Sequence, residues 1–455
     1  MASSLHRSWF RHALTTLLLG WLAVLMIGGS DAAASGADVD PAAGVAGLRS
    51  AKQATKKGQC GRKKRSATRS KSSARKCAKA RKQAARRKRK QPPAQPLGSQ
   101  SGPGAESPGV QAPPAGAPAA QSPSQSSAAP QSPELPITDP HGYYWGAWID
   151  GHRNGGEKPP WDMAGALDLE QEVGKGMSLV QFGTPMAYGN GTDYFAFPAN
   201  QFNTIRNHGS IPLFSWSTHA MGNFGHPDFT LRAVIEGRQD AHIRAWATAA
   251  KAWGHPFFLR FNWEMNGGWF PWGERYGSNQ PGEFVAAWRH VHDIFTSVGA
   301  TNANWVWCPT AEMGSTLQPL DGLYPGGDQV DWTCLDVYNG NNPWKSFSDV
   351  TASTYDKVTQ LAPDKPMVIA EVGSTEAGGD KAAWIQSMFR SLPRRFPKVH
   401  GLVWFDYIEP GPGGKTDWML DSSQAATAAF ASGIADPAYQ GNRHPQLTGS
   451  KIPIP

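Results

Sequence analysis

Cysteine is scarce in this chain, with 4 among 455 residues. Cys60 and Cys77 have no nearby His, which makes a poor metal-ligand set. No repeat recurs at a period of about 20–50 residues, so solenoid and propeller architectures are set aside. No glycine-rich loop follows the first apolar run, which leaves a dinucleotide-binding sheet unsupported. Nothing resembles a metal cluster or a Ser/His/Asp order either. Other absences are regional. Residues 51–90 contain no Asp, Glu or aromatic residue, yet they hold 19 Lys and Arg. Residues 91–136 contain no Lys or Arg at all.

These gaps divide the chain. Arg7 and Arg11 precede the apolar run Ala13–Gly29, and Ala32-Ala33-Ala34 follows, the order of a secretory signal peptide over residues 1–34. The run is slightly short for a bilayer span of about 20 residues, although an uncleaved anchor is the alternative. Residues 35–90, with the basic block at 51–90, carry too little apolar matter to offset chain entropy and should be disordered. Without aromatics the block has no base-stacking surface, so nucleic acid is not the expected partner. In an exported protein, anionic wall polymers, acidic polysaccharide or lipid head groups suit it better. The expected location is therefore extracellular, with retention at the envelope possible. Cys60 and Cys77 could pair in an oxidising compartment. Residues 91–136, rich in Pro, Ser, Ala, Gly and Gln, read as an extended linker.

The net charge of +8 misleads, because residues 137–455 hold 22 Lys and Arg against 31 Asp and Glu. Residues 137–436 have globular composition, with 437–455 as a C-terminal tail. Eight short apolar, aromatic-rich runs alternate with helix-like stretches. The runs are Tyr143–Ile149, Met177–Phe182, Ile211–Trp216, Pro256–Asn262, Asn304–Cys308, Asp331–Tyr338, Met367–Val372 and Leu402–Tyr407. The stretches include Asp162–Gly174, Asp240–Trp253, Pro281–Val298 and Lys381–Phe396. This alternation predicts an α/β fold, a (β/α)8 TIM barrel, with a doubly wound open sheet as the rival. Polar residues at the run ends agree with a barrel, whose chemistry gathers there: Asp150, Thr218-His219, Glu264-Asn266, Asp336-Tyr338, Glu371 and Asp406-Tyr407.

Pro256–Gly273 concentrates the chemistry. The apolar Phe257-Phe258-Leu259 gives way to Arg260 and Asn262, then to Glu264 beside Asn266, and then to Trp269, Phe270 and Trp272. An acid, an amide and stacking surfaces at a strand end suit a sugar whose glycosidic oxygen is to be protonated. The competing reading is a structural ion pair of Glu264 with Arg260 under an aromatic mini-core. Glu371 closes the run Met367-Val368-Ile369-Ala370 and is the natural partner for Glu264. On the fourth and seventh strands, the two would face each other across the mouth. At about 5–5.5 Å they would make a retaining pair.

Arg260…Trp263-Glu264-Met265-Asn266-Gly267…Trp269-Phe270…Trp272 and Ile369-Ala370-Glu371-Val372-Gly373 resemble glycoside hydrolase family 26, the β-mannanase family of a retaining (β/α)8 clan. Asp336-Val337-Tyr338 and Val403-Trp404 support the resemblance, which covers roughly Tyr143–Ile434. It implies Glu264 as acid/base and Glu371 as nucleophile, with Tyr338 bonded to the nucleophile and Trp404 flooring the subsite of the sugar to be cleaved. It also implies a polysaccharide substrate, most commonly β-1,4-mannan, and a secreted, monomeric endo-hydrolase that needs no cofactor. One position departs. Where the family usually has His before its acid/base, this chain has Trp263, which can donate one hydrogen bond and accept none. Asn262 should face the opposite way on an ideal strand. Mixed-linkage β-glucan, β-1,3-xylan or an exopolysaccharide therefore stay open, as does a catalytically silent polysaccharide-binding protein.

The remaining residues have two readings each. Trp269, Phe270 and Trp272 are sugar platforms or loop packing on the rim. His219 reaches a neighbouring subsite or is a satisfied surface histidine. Asp150 and Asp336 hold barrel-rim hydrogen bonds. Arg260 lies within the barrel and pairs with a carboxylate such as Glu371, keeping it ionised. Cys308 and Cys334, on neighbouring strands, form a disulfide or remain two buried thiols.

Overall fold

The computed structural model describes residues 142–455 except 154, 312–316, 341–342 and 412–413. The expectations for residues 1–136, including the Cys60–Cys77 pair, lie outside the described residues. Eight parallel strands form the wall: β1 (Tyr143–Ile149), β2 (Leu179–Tyr188), β3 (Ile211–Met221), β4 (Phe257–Phe261), β5 (Ala303–Trp307), β6 (Trp332–Asn339), β7 (Met367–Ser374) and β8 (Val399–Asp406). Each pairs with its chain neighbour, and β1 pairs with both β8 and β2, so the sheet closes into a (β/α)8 barrel. The β1–β2 seam is close. A Cβ on Gly146, which sits opposite Leu179, would fall 2.2 Å from the Leu179 carbonyl oxygen. Only glycine lets the two backbones meet there.

Helices α1 (Ala164–Val173), α2 (Ala199–His208), α3 (Leu231–Ile235), α4 (Asp240–Trp253), α5 (Glu283–Val298), α6 (Phe347–Leu361), α7 (Lys381–Arg395) and α8 (Gln424–Ile434) occupy the connections. Ser346, Asp380 and Ser423 cap α6, α7 and α8 by accepting from the backbone three residues on, which satisfies N–H groups the helix cannot. Between β5 and β6, the described residues hold a 3₁₀ turn at Leu320–Gly322 in place of a helix.

Strand residues alternate between two cores, as a period of two requires. Outward residues such as Phe214, Phe261, Trp305 and Trp404 pack under the helices. The lumen is filled by Leu179, Leu213, Phe258, Val306, Trp332, Val368 and Val403, each a side chain whose burial contributes roughly 1.5–3 kcal/mol. The C-terminal stretch folds back beneath it. Tyr439–Gln440 pairs with the start of β1, Ile452 enters the lumen core, and its backbone N–H donates to Asn304 Oδ1 at 3.0 Å. The C-terminal stretch thus covers the base of the barrel, and the polar residues gather at the C-terminal ends of its strands.

Candidate active site

Two irregularities aim the acids into the mouth. The first ends β4, where Asn262 and Glu264 have φ of 45° and 52°, a left-handed backbone that costs a non-glycine residue about 1–3 kcal/mol. Hydrogen bonds hold it from both sides: Asn262 N–H donates to the Trp216 carbonyl at 3.0 Å and Glu264 N–H to the Cys308 carbonyl at 2.7 Å. The Asn262 amide is used up on Thr218 of β3, accepting from its N–H at 2.9 Å and donating to its Oγ1 at 3.0 Å. The strict alternation expected for Asn262 therefore stops one residue earlier, at Phe261.

The second irregularity is a β-bulge on β7. Leu335 lies opposite Ile369, but Asp336 lies opposite Glu371, leaving Ala370 as an extra residue. Val368 and Ala370 face the lumen, so a regular strand would turn Glu371 outward. The bulge brings it back in, a common use of bulges beside functional sites.

Carboxylate oxygens of Glu264, Glu371 and Asp336 converge within 4.8 Å of one another. Arg260, fully buried, joins them. Its Nη1 donates to Glu371 Oε1 at 2.7 Å and its Nη2 forms an ion pair with Asp336. Asp336 is thus inside the barrel, below the rim position expected for it. Tyr338 OH donates to Glu371 Oε2 at 2.5 Å. Ser215 Oγ takes a bond from Arg260 at 3.2 Å, and Gln181 accepts from the same guanidinium while donating to the Ala370 carbonyl at 2.6 Å. The three acids have the spacing of a cation site, but the Arg260 guanidinium already lies between two of them. Cys308 and Cys334 are joined as a disulfide and offer no thiolate.

The two candidate catalytic carboxyls are in different situations. Glu371 accepts a guanidinium and a phenol. Glu264 is pushed up to about 7, first by burial and then by the negative charge of Glu371. Hydrogen bonds from Trp269 and Thr310 and the charge of Arg260 oppose that rise. One carboxyl is thus arranged to hold a proton near neutrality and the other is braced by cation and donor, the division acid and nucleophile need.

Several expected ligands have other work. Asn266 is buried, its amide donating to the Thr310 carbonyl and accepting from the Thr310 N–H, both at 3.0 Å; it pins the β4 loop to the β5 loop. Phe270 and Trp272 are buried and stack at 4.4 Å, and Trp272 Nε1 donates to the Trp263 carbonyl at 2.6 Å. They are loop packing. Trp269 is only partly buried, and its Nε1 donates to Glu264 Oε2 at 2.8 Å. A Cβ on Gly267 would meet its ring at 2.5 Å, so the glycine makes room for it. Trp263 lies over the Arg260 guanidinium at 4.9 Å, and its buried Nε1 has no partner among the described residues.

His219 is buried, contrary to a surface histidine. It stacks on Phe224 at 4.9 Å, bonds Ser217 Oγ at 3.0 Å, and is pushed down to about 3 by burial. A neutral imidazole with its Nε2 unpartnered remains. Trp404 does not reach the mouth. It shares outward parity with Leu402, packs on Phe430 at 5.6 Å, and donates to the Trp418 carbonyl at 2.9 Å. Beside Tyr338 stand two aromatics the sequence reading missed: Phe405, 5.4 Å from its ring, and Trp418, 5.0 Å from it. Trp148, on the lumen parity of Tyr144, stacks with Phe405 at 6.4 Å. The parity of Val403 was the available signal for Phe405; Trp418 follows a hairpin and had none.

The family model described as glycosyl hydrolase family 26 matches residues 231–393, a span that carries both Glu264 and Glu371. Over that span the chain is similar to glycosyl hydrolase family 26. In sequence it is similar to Endoglucanase H of Acetivibrio thermocellus, 33% identical over 240 residues. That match covers 51% of this chain and 25% of the relative, so the chain spans about a quarter of the relative's length. In structure it is similar to a Cellulomonas fimi endo-β-1,4-mannanase double mutant, with TM-score 0.50 and 20% identity over 69% of this chain and 74% of that one. A Bacillus subtilis mannanase gives TM-score 0.47 and 19% identity, covering 69% and 91%. The family 26 match stops before β8, so Phe405 and Trp418 lie beyond it.

Proposed function

We propose that this chain is an exported endo-acting hydrolase of β-linked polysaccharide, working by retaining double displacement. The observation that carries this reading is the approach of the Glu264 and Glu371 carboxylates within 4.8 Å, with the proton held on Glu264. In the first step Glu371 attacks the anomeric carbon, and the bond to the leaving oxygen breaks as Glu264 gives that oxygen its proton. Tyr338 and Arg260 hold the Glu371 carboxylate in place through the phenol O–H and the guanidinium. In the second step Glu264, now a carboxylate, takes a proton from water, whose oxygen displaces Glu371 from the sugar.

Among substrates, β-glucan is favoured by the name of the 33% identical relative and by Trp263, which cannot accept a hydrogen bond as the family's usual His can. β-1,4-Mannan, the family's commonest substrate, is the second reading. The full chain should be assayed on β-mannan, galactomannan, lichenan, β-1,3-xylan and exopolysaccharides, with the anomeric form of the first product followed by NMR. Release of the β-hemiacetal, abolished in Glu264→Ala and in Glu371→Ala, is the expected result. An α-hemiacetal, or full activity in either variant, sinks the mechanism. New reducing ends from no polymer, with retardation on a glycan gel, would instead favour a silent binding protein.

A further inference from the structure

A fourth carboxylate stands beside the three at the mouth. After β8 the chain forms a hairpin, Ile408–Gly411 against Gly414–Asp417, and Trp418 follows it. Trp418 Nε1 donates to Glu409 Oε2 at 3.1 Å. The Trp418 ring rests 5.0 Å from Tyr338, the phenol bonded to Glu371, and lies where a Cβ on Gly373 would meet it at 3.1 Å. Glu409, Trp418, Tyr338 and Glu371 are therefore linked in contact. Glu409 is partly buried, and among the described residues no Lys, Arg or His forms an ion pair with it. A half-buried acid with one donor, several free lone pairs and no cation is a costly arrangement unless something else supplies donors.

Neutral sugars supply donors in pairs, because vicinal hydroxyls match the two oxygens of a carboxylate. Sugars with their own carboxylate would meet Glu409, Asp336 and Glu371 together. The buried cation Arg260 is already committed to two of them. Among the other cations of the described residues near the strand ends, Arg153 pairs with Asp406 at 2.8 Å and Lys158 lies over Trp148 at 4.6 Å with Asp150 nearby.

We infer that Glu409, oriented by Trp418, selects the substrate: it accepts hydroxyl hydrogens of the sugar held beside Glu371 and makes the cleft take neutral glycans and refuse uronate-bearing ones. Burial and the charge of Glu371 raise the pKa of Glu409 while the Trp418 N–H lowers it, as expected for an acid short of partners. The inference rests on the hydrolase reading and narrows it, since acidic exopolysaccharides drop out. Discrimination of this kind arises as much from repulsion of the wrong partner as from attraction of the right one.

The test uses the full chain, the neutral β-glycan it cleaves best, and the same polymer with its primary alcohols oxidised to uronates. Wild type should cleave the neutral form and leave the oxidised form at least about a hundredfold slower. Glu409→Ala should raise KM on the neutral polymer about tenfold or more while kcat stays within about threefold, the pattern of lost uniform binding. Glu409→Gln, which keeps one acceptor and loses the charge, should recover part of KM and narrow the neutral-to-oxidised ratio. KM and that ratio unchanged in both variants, with an active wild type, would overturn this inference alone. A wild type that cleaves neither polymer nor any other glycan would overturn the hydrolase reading and this inference with it.

Discussion

The indole N–H of Trp269 donates to Glu264 Oε2 at 2.8 Å, five residues along the same loop. An indole donates and cannot accept, so it favours the ionised carboxylate and works against burial. The acid sits near neutrality because the two influences partly offset each other. For an acid that must be protonated at the start of the reaction, kcat/KM should fall as pH rises through about 7. Trp269→Phe removes the donor, and the alkaline limb of the pH–rate profile should move up by about one unit, given the strength of hydrogen bonds to charged groups. A limb that stays put would show that Trp269 does not tune Glu264.

The same burial has a cost in stability. A carboxyl raised from 4.5 to about 7 contributes stability that is complete below pH 4.5 and is lost as pH rises towards 7. Two to three units correspond to about 3 kcal/mol. Glu264→Gln should therefore raise the thermal midpoint at pH 8 by about a few degrees and leave it nearly unchanged at pH 4. Equal shifts at both pH values would count against this account.

Arg260 balances two buried carboxylates, Asp336 and Glu371. Arg260→Met leaves both without their cation, and breaking a buried pair in this way costs about 3–5 kcal/mol. Chemical denaturation should show that loss, and adding Asp336→Asn should return part of it. If the double variant is no more stable than the single one, the destabilisation lies in packing.

At the opposite end of the barrel, Ile452 fills the lumen beneath Phe258 and Trp332. Ile452→Ala should cost about 2–4 kcal/mol through lost burial and the cavity left behind. Because the residue lies at the base, kcat and KM at room temperature should stay near wild type while the thermal midpoint falls. A change in KM would connect the base to the mouth in a way its packing does not suggest.

The strands were legible because a barrel strand is buried on both sides, so Phe257–Leu259 and Met367–Ala370 read as unbroken apolar runs. Strand ends carried Glu264, Glu371 and Tyr338 to the mouth for the same reason. What was not legible was which way each side chain faces. Trp404 was placed in the cleft on identity alone, whereas its parity with Leu402 turns it outward. Composition could not separate a platform from packing at Phe270 and Trp272, which differ only in what covers them. Glu409 and Trp418 gave no signal because a hairpin, and no period, brings them to the site.

The orientation of Glu371 depends on one extra residue in β7, since Ala370 has no opposite number on β6. A deletion of Ala370 would join Ile369, outward, directly to Glu371, inward, so the ladder would become regular and the acid would keep its direction. Among relatives, a gap at that position would therefore be compatible with an acid that still faces the lumen, whereas an unbulged strand that keeps the alanine would not.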